Sequence, residues 1–154
     1  MNRAFAIIFS SLYFIGFFCF NNAAVTQEQL TKLIELVETF GQPCLKDNPV
    51  AEDDIAAMKA HKIPTGPNAP CFIACMMRKA TLLGDDGKLQ KEPALEIAKT
   101  ILDETQLKNI DKLFNSCAEV NTAEVSDGTK GCQRAMLALK CLKENAPKYG
   151  FGDI

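Results

Sequence analysis

Cys71-Phe72-Ile73-Ala74-Cys75 is the stretch around which this chain of 154 residues is organised. Two cysteines four residues apart on a helix lie one above the other on the same face. Their separation along the helix axis disfavours a bond between them, so in a secreted chain each is expected to bond a different partner. One short helix would then be fixed to two other parts of the molecule.

The beginning of the chain has the pattern of a signal peptide. An apolar run over residues 4–20 follows the basic Arg3, and a few small or polar residues lead to Ala24. A transmembrane anchor is the alternative, but the run is at the short end for a span and no basic cluster follows it. The sequence therefore predicts that residues 1–24 are removed and that residues 25–154 form one secreted, extracellular domain.

Cysteine number and charge narrow the class of protein further. The chain has seven cysteines, of which Cys19 leaves with the signal peptide. Six cysteines in a secreted domain predict three disulfide bonds. The 17 basic and 19 acidic residues are interspersed and give a net charge of −2. With no block of Lys or Arg, neither nucleic acid nor stable membrane insertion is expected.

The apolar pattern predicts an all-α fold. Apolar residues recur at helical spacing between Gly and Pro residues, and no stretch alternates as a strand does. Gly41 and Pro43 are expected to end the first helix just before Cys44. Residues 147–154 are expected to form a tail. The helices are predicted over about residues 26–40, 51–60, 70–84, 93–102, 105–120 and 130–145.

The last predicted helix carries two cysteines on different sides. Cys132 and Cys141 are nine residues apart and point in roughly opposite directions, so they are expected to bond elements on either side of the helix. Four residues between or beside them are expected to face inward: Ala135, Ala138, Leu139 and Leu142. Three disulfides could each add about 3–4 kcal/mol, which would allow a small domain to keep an incompletely filled interior.

The cysteine spacing resembles that of a known family. Cys44, Cys71, Cys75, Cys117, Cys132 and Cys141 are separated by 26, 3, 41, 14 and 8 residues. This resembles the insect odorant-binding proteins in their six-cysteine form, which includes pheromone-binding proteins, and the resemblance covers the whole mature chain. It implies six or seven helices around a central hydrophobic cavity, with disulfides Cys44–Cys75, Cys71–Cys132 and Cys117–Cys141. Six cysteines alone leave the pairing open, so it rests on the resemblance.

The activity that the resemblance implies is carriage. A small hydrophobic ligand, such as a volatile alcohol, aldehyde, ester or fatty acid, would be held in the cavity and carried through lymph toward an olfactory receptor. The protein would be a monomer or a weak homodimer without a cofactor. A non-olfactory carrier or scavenger with the same fold, in haemolymph, reproductive fluid or gut, is the alternative.

Other classes of protein fit the sequence poorly. His61 is the only histidine, so no Ser-His-Asp or Cys-His arrangement is visible, and paired cysteines leave no zinc site. An enzyme is therefore not expected. Saposin-like and plant lipid-transfer proteins arrange their cysteines differently.

Apolar residues on the inward faces are the candidates for lining the cavity, and ordinary core packing is the alternative for each. They are Leu33, Val37, Ile55, Met58, Phe72, Met76, Leu83, Leu95, Ala98, Phe114, Ala135, Leu139 and Leu142. Tyr149 and Phe151 in the tail are candidates for a lid, with a frayed terminus as the alternative. His61 is the candidate for a pH switch, with a surface residue or helix cap as the alternative.

Overall fold

The structure is a computed structural model that describes residues 25–152. Within that range there is a single isolated bridge, between Leu83 and Leu89, and no named strand, so the all-α prediction is confirmed. The predicted signal peptide lies outside the described residues. The α-helices are α1 Gln27–Asp47, α2 Glu52–Lys59, α3 Ala69–Lys79, α4 Lys91–Ala98, α5 Glu104–Ser116 and α6 Cys132–Asn145. Short 3-10 helices cover Ala118–Asn121, Gly128–Lys130 and Ala146–Tyr149.

The predicted end of the first helix is wrong. Instead of stopping at Gly41, α1 continues through Pro43 to Asp47. A proline within a helix removes one backbone hydrogen bond and is destabilising. The disulfide between Cys44 and Cys75 fixes the following turn to α3, so tertiary contact maintains the helix where local propensity would end it.

Two other predicted helices end earlier than expected. The third stops at Lys79 rather than Gly84, because Thr81 takes a left-handed conformation with φ 55° and turns the chain away. The fifth stops at Ser116 rather than Val120, and a separate 3-10 turn follows. Neither break is marked by a glycine or proline, which is why the sequence pattern gave no sign of them.

The three disulfides have the pairing that the family resemblance implies. They are Cys44–Cys75, Cys71–Cys132 and Cys117–Cys141. Consequently α3 is bonded to both α1 and α6, as the spacing of Cys71 and Cys75 predicts. α6 packs against α3, and two small residues of α6, Ala135 and Ala138, are completely buried.

Candidate ligand-binding site

Most of the predicted cavity-lining residues meet in one apolar centre. Phe72, Leu83, Phe114, Ala135, Leu142 and Phe151 are buried in the core. Met58, Met76, Leu139 and Tyr149 are partly buried and pack against it. The structure brings these ten residues together, although Leu83 lies in the turn after α3 rather than on that helix. Ile55, Leu95 and Ala98 are partly buried but are not among the residues packed on this core.

The apolar row of α1 is buried at one end and exposed at the other. Its members are spaced alternately four and three residues apart, which places them along one side of the helix: Leu30, Ile34, Val37, Gly41 and Cys44. Cys44 is completely buried, and a Cβ placed on Gly41 would lie 3.9 Å from the Met76 sulfur of α3. One turn further toward the N-terminus, Val37 is 57% exposed. From Val37 to Leu30 the row is therefore exposed to solvent.

Two predicted lining residues belong to this uncovered part of α1. Leu33 is 37% exposed and Val37 more so. Leu30 and Ile34 beside them, which are not among the predicted ligand contacts, are also exposed. Exposed apolar side chains in a contiguous set often mark a binding surface rather than an ordinary exterior.

A pair of hydrogen-bonded glutamines holds the start of α1. Gln29 Nε2 donates to Gln106 Oε1 at 2.8 Å, and Gln106 Nε2 donates back to Gln29 Oε1 at 3.1 Å. Gln29 Nε2 also donates to the Ile101 carbonyl at 3.0 Å. Each glutamine completes the capping box of its own helix, with Thr26 in α1 and Asp103 in α5. Gln106 is only 2% exposed and Gln29 is partly buried, so the amide pair lies at the edge of the protein interior.

Both capping boxes have a signal in the sequence, but the contact between them does not. Asp103 and Gln106 have the same spacing as Thr26 and Gln29, and this signal was available. The contact between the two boxes joins residues 77 positions apart, which no local pattern predicts.

The opposite side of α1 is polar. Lys32 donates a 2.9 Å hydrogen bond to Glu28, and the ammonium lowers the pKa of that exposed carboxyl. The Thr39 hydroxyl donates to the Glu35 carbonyl within the same helix. The helix is therefore amphipathic along its length even where its apolar side is uncovered.

A surface groove lies between α4 and α5. It has a volume of about 360 Å³, with Leu95 and Leu107 among its lining residues. Its other lining residues are charged: Lys99, Lys108, Asp111 and Lys112. Of the predicted ligand contacts it contains Leu95 alone, so it is separate from the apolar centre.

The tail is packed as far as it is described. The segment after α6 forms the 3-10 helix Ala146–Tyr149, which contacts α5 and α6. The Phe151 N–H then donates to the Ala146 carbonyl at 3.1 Å, and both residues are buried. Tyr149 packs against the core from outside. The described tail is thus part of the domain rather than a frayed end.

Comparison with known proteins decides the family. The model of the PBP/GOBP family matches residues 25–145. This chain belongs to the PBP/GOBP family of insect odorant-binding proteins. General odorant-binding protein 19d of Drosophila melanogaster is 22% identical over 144 residues, with 91% of each chain covered.

A solved odorant-binding protein has the same fold. Odorant-binding protein dmelOBP28a from Drosophila melanogaster superimposes with a TM-score of 0.62 at 26% identity. The match covers 80% of this chain and 98% of that protein. The resemblance inferred from the cysteine spacing is therefore confirmed, and with it the disulfide-linked helical fold.

Membership of this family supports the binding of small hydrophobic ligands. Within residues 25–152 no group of three or more His, Cys, Asp or Glu side chains is placed to hold a metal ion. None of the helices described is long and apolar enough to cross a membrane.

The only histidine lies on the surface. His61 follows α2 with φ 55°, and its backbone N–H donates to the Met58 carbonyl at 3.0 Å. His61 is therefore a surface residue beyond the C-terminus of α2. A pH switch at His61 stays a prediction, to be abandoned if His61→Gln leaves the pH profile of ligand release unchanged.

Proposed function

We propose that this odorant-binding protein is a secreted carrier that holds small hydrophobic ligands in an internal apolar site and transports them through aqueous fluid toward olfactory receptors. The observation that carries the proposal is the uncovered apolar row of α1 beside a disulfide-linked helical body. A row that is buried at Cys44 and exposed from Val37 to Leu30 leaves apolar surface for a ligand to cover. Family membership supports the same class of ligand.

Flexible side chains suit the site to several ligands. Met58 and Met76 are partly buried beside the core, and methionine adapts its shape to different apolar partners. A ligand gains about 0.8 kcal/mol for each buried methylene, part of which offsets its lost freedom. Micromolar affinity requires about 8 kcal/mol, which a chain of about ten carbons can supply. The proposal needs no catalytic group, and none is proposed.

The tail contributes a second element to this proposal. Tyr149 packs at the edge of the core and Phe151 is buried in it, and this packing supports a role for the tail in covering a bound ligand. The Tyr149 hydroxyl would then offer a polar partner to an alcohol or ester. Truncation after Ala146 would be expected to speed ligand release.

Ligand displacement tests the proposed function directly. The oxidised domain, residues 25–154, would be titrated with a fluorescent naphthylamine probe, and the probe displaced by aliphatic alcohols, aldehydes, esters and fatty acids. Saturable micromolar binding at one site, with displacement by some of these compounds, is expected. A correctly disulfide-bonded and helical sample that binds neither probe nor ligand would overturn the proposal. Expression in olfactory organs, rather than in gut or haemolymph, tests the olfactory part.

A further inference from the structure

We propose that the first part of α1, residues 27–40, is a hinged arm at the ligand site, and that the hydrogen-bonded amides of Gln29 and Gln106 are its latch. The inference rests on the proposed function, since it describes how a ligand reaches the same site. It assigns Gln106, which is not a predicted ligand contact, a positioning role in ligand entry and release.

The chain packs on the core before the arm and after it, but not along the arm itself. Val25, just before α1, and Leu45, near its C-terminus, are partly buried against the core. Within the described structure, none of the apolar residues from Leu30 to Phe40 belongs to that core or to the partly buried residues packed on it. Most of the apolar contact that normally holds an amphipathic helix to its domain is therefore lacking over three turns.

The hinge is placed by two residues unsuited to a helix interior. Pro43 has no N–H, so the Thr39 carbonyl loses its usual partner one turn later. Gly41 lacks a side chain, so its backbone has more conformational freedom than that of other residues, and glycine has low helix propensity. Immediately beyond them the buried Cys44–Cys75 disulfide fixes the chain to α3. Bending is therefore easiest between the fixed turn and the arm.

The latch is polar, and this makes it reversible. In the closed structure each amide oxygen accepts two hydrogen bonds: Gln106 Oε1 from Gln29 and from the Asp103 N–H, and Gln29 Oε1 from Gln106 and from the Thr26 N–H. When the arm opens, the separated amides exchange these bonds for bonds to water. A disulfide at this position could not open, whereas an amide pair stabilises one closed geometry and can still separate.

Gln106→Leu tests the latch. Leucine is similar in size and apolar at a site that is 2% exposed, and the Gln29 amide can turn to solvent. Thr26→Ala is the matched control, because it removes one capping hydrogen bond of α1 and leaves the amide pair in place. Gly41→Ala is the opposite test, since its Cβ would meet the Met76 sulfur at an ordinary 3.9 Å and would stiffen the hinge.

Two readouts are made on the oxidised domain: amide hydrogen exchange in residues 30–40, and the association and dissociation rate constants of the naphthylamine probe. Gln106→Leu removes the two hydrogen bonds between the amides, together with the cap that Gln106 gives the Asp103 N–H. Loss of the amide pair should raise the exchange of the arm and both probe rate constants by roughly tenfold. The dissociation constant should change much less, because the latch is closed with and without ligand. Gly41→Ala should lower both rate constants by about fivefold, and Thr26→Ala should change the rates far less than Gln106→Leu does.

Unchanged exchange and unchanged rates in Gln106→Leu would overturn the latch. So would a change confined to dissociation, which is the result for a residue that simply contacts the ligand. If the wild-type domain binds no probe, the proposed function fails. Hydrogen exchange of residues 30–40 in Gln106→Leu and Thr26→Ala still decides whether the latch exists.

Discussion

Val37 and Cys44 lie two helical turns apart on the same side of α1, yet Val37 is 57% exposed and Cys44 is completely buried. One helix thus has a fixed end within the protein and an apolar end that the described residues do not cover. Uncovered apolar surface contributes little to folding, because no apolar area is removed from water there. Its retention in a small domain is better explained by binding than by stability.

Val37→Asp should weaken apolar ligands while leaving the domain folded. A carboxylate at this point would have to lose water when a ligand covers it, and probe affinity is expected to fall at least about tenfold. The free energy of unfolding should change by less than about 0.5 kcal/mol, because the position is exposed. Probe titration and urea unfolding measure the two quantities.

The matched control for Val37→Asp is Thr31→Asp on the polar side of α1. It introduces the same charge into the same helix, and it should leave probe affinity within about twofold of the wild type. Equal affinity in the two variants would mean that the row of α1 does not contact the ligand.

Removing the Cys44–Cys75 disulfide should loosen α1 before the rest of the domain. Replacing both cysteines by Ala is expected to cost about 3–4 kcal/mol in the chain-entropy model. Removing Cys117–Cys141 should cost nearly the same, because the two bonds span 31 and 24 residues. The difference should appear in native-state hydrogen exchange: α1 exchanges much faster in the first variant only. Equal protection of α1 in both variants would show that its attachment does not depend on Cys44.

Asp54 should be the most sensitive carboxylate in the domain. It is 6% exposed, and its Oδ1 accepts the backbone N–H groups of Thr65 at 3.0 Å and Gly66 at 2.9 Å, which closes the loop after α2. Asp54→Ala leaves both donors unpaired and is expected to cost about 2–4 kcal/mol. Asp54→Asn keeps an acceptor oxygen and should cost less than half as much. Chemical denaturation of the two variants gives the comparison, and equal losses would contradict the role of these hydrogen bonds.

Gly66 provides an independent check on the same contact. A Cβ at this position would lie 2.0 Å from Asp54 Oδ2, so Gly66→Ala must displace the carboxylate. A loss of stability similar to that of Asp54→Ala is expected. If Gly66→Ala were harmless, the loop would not be held in the observed geometry.

Local and family patterns predicted much of this fold, and long-range contacts account for what they missed. The spacing of Cys71 and Cys75 predicts one helix bonded to two others, because helical geometry is local. The end of α1 was wrong because Pro43 was judged by local propensity, whereas the adjacent disulfide to Cys75 keeps the helix intact. The partner of Gln29 was missed for the same reason: a capping box is visible in four residues, but its contact with a second box depends on the whole fold.

The candidate site was predicted less completely than the fold. Helical spacing identifies the apolar side of each helix, and ten predicted residues do meet in or against the core. The same spacing cannot tell whether that side is covered. Leu33 and Val37 were chosen by the same rule as Phe72, yet they are exposed where Phe72 is buried. Whether an apolar side is buried depends on where the neighbouring helices end, and helix ends are the feature that is hardest to predict from sequence.

His61→Gly should stabilise the domain. His61 is exposed and has φ 55°, a left-handed conformation that costs an L-residue roughly 1–2 kcal/mol and costs glycine nothing. Glycine also loses more chain entropy on folding, so a net gain of about 0.5–1 kcal/mol is expected. His61→Ala is the control, because it removes the imidazole and keeps the Cβ that causes the strain, and it should bring no gain. Thermal unfolding of both variants at one pH decides the matter: equal midpoints would show that the backbone at residue 61 is not strained.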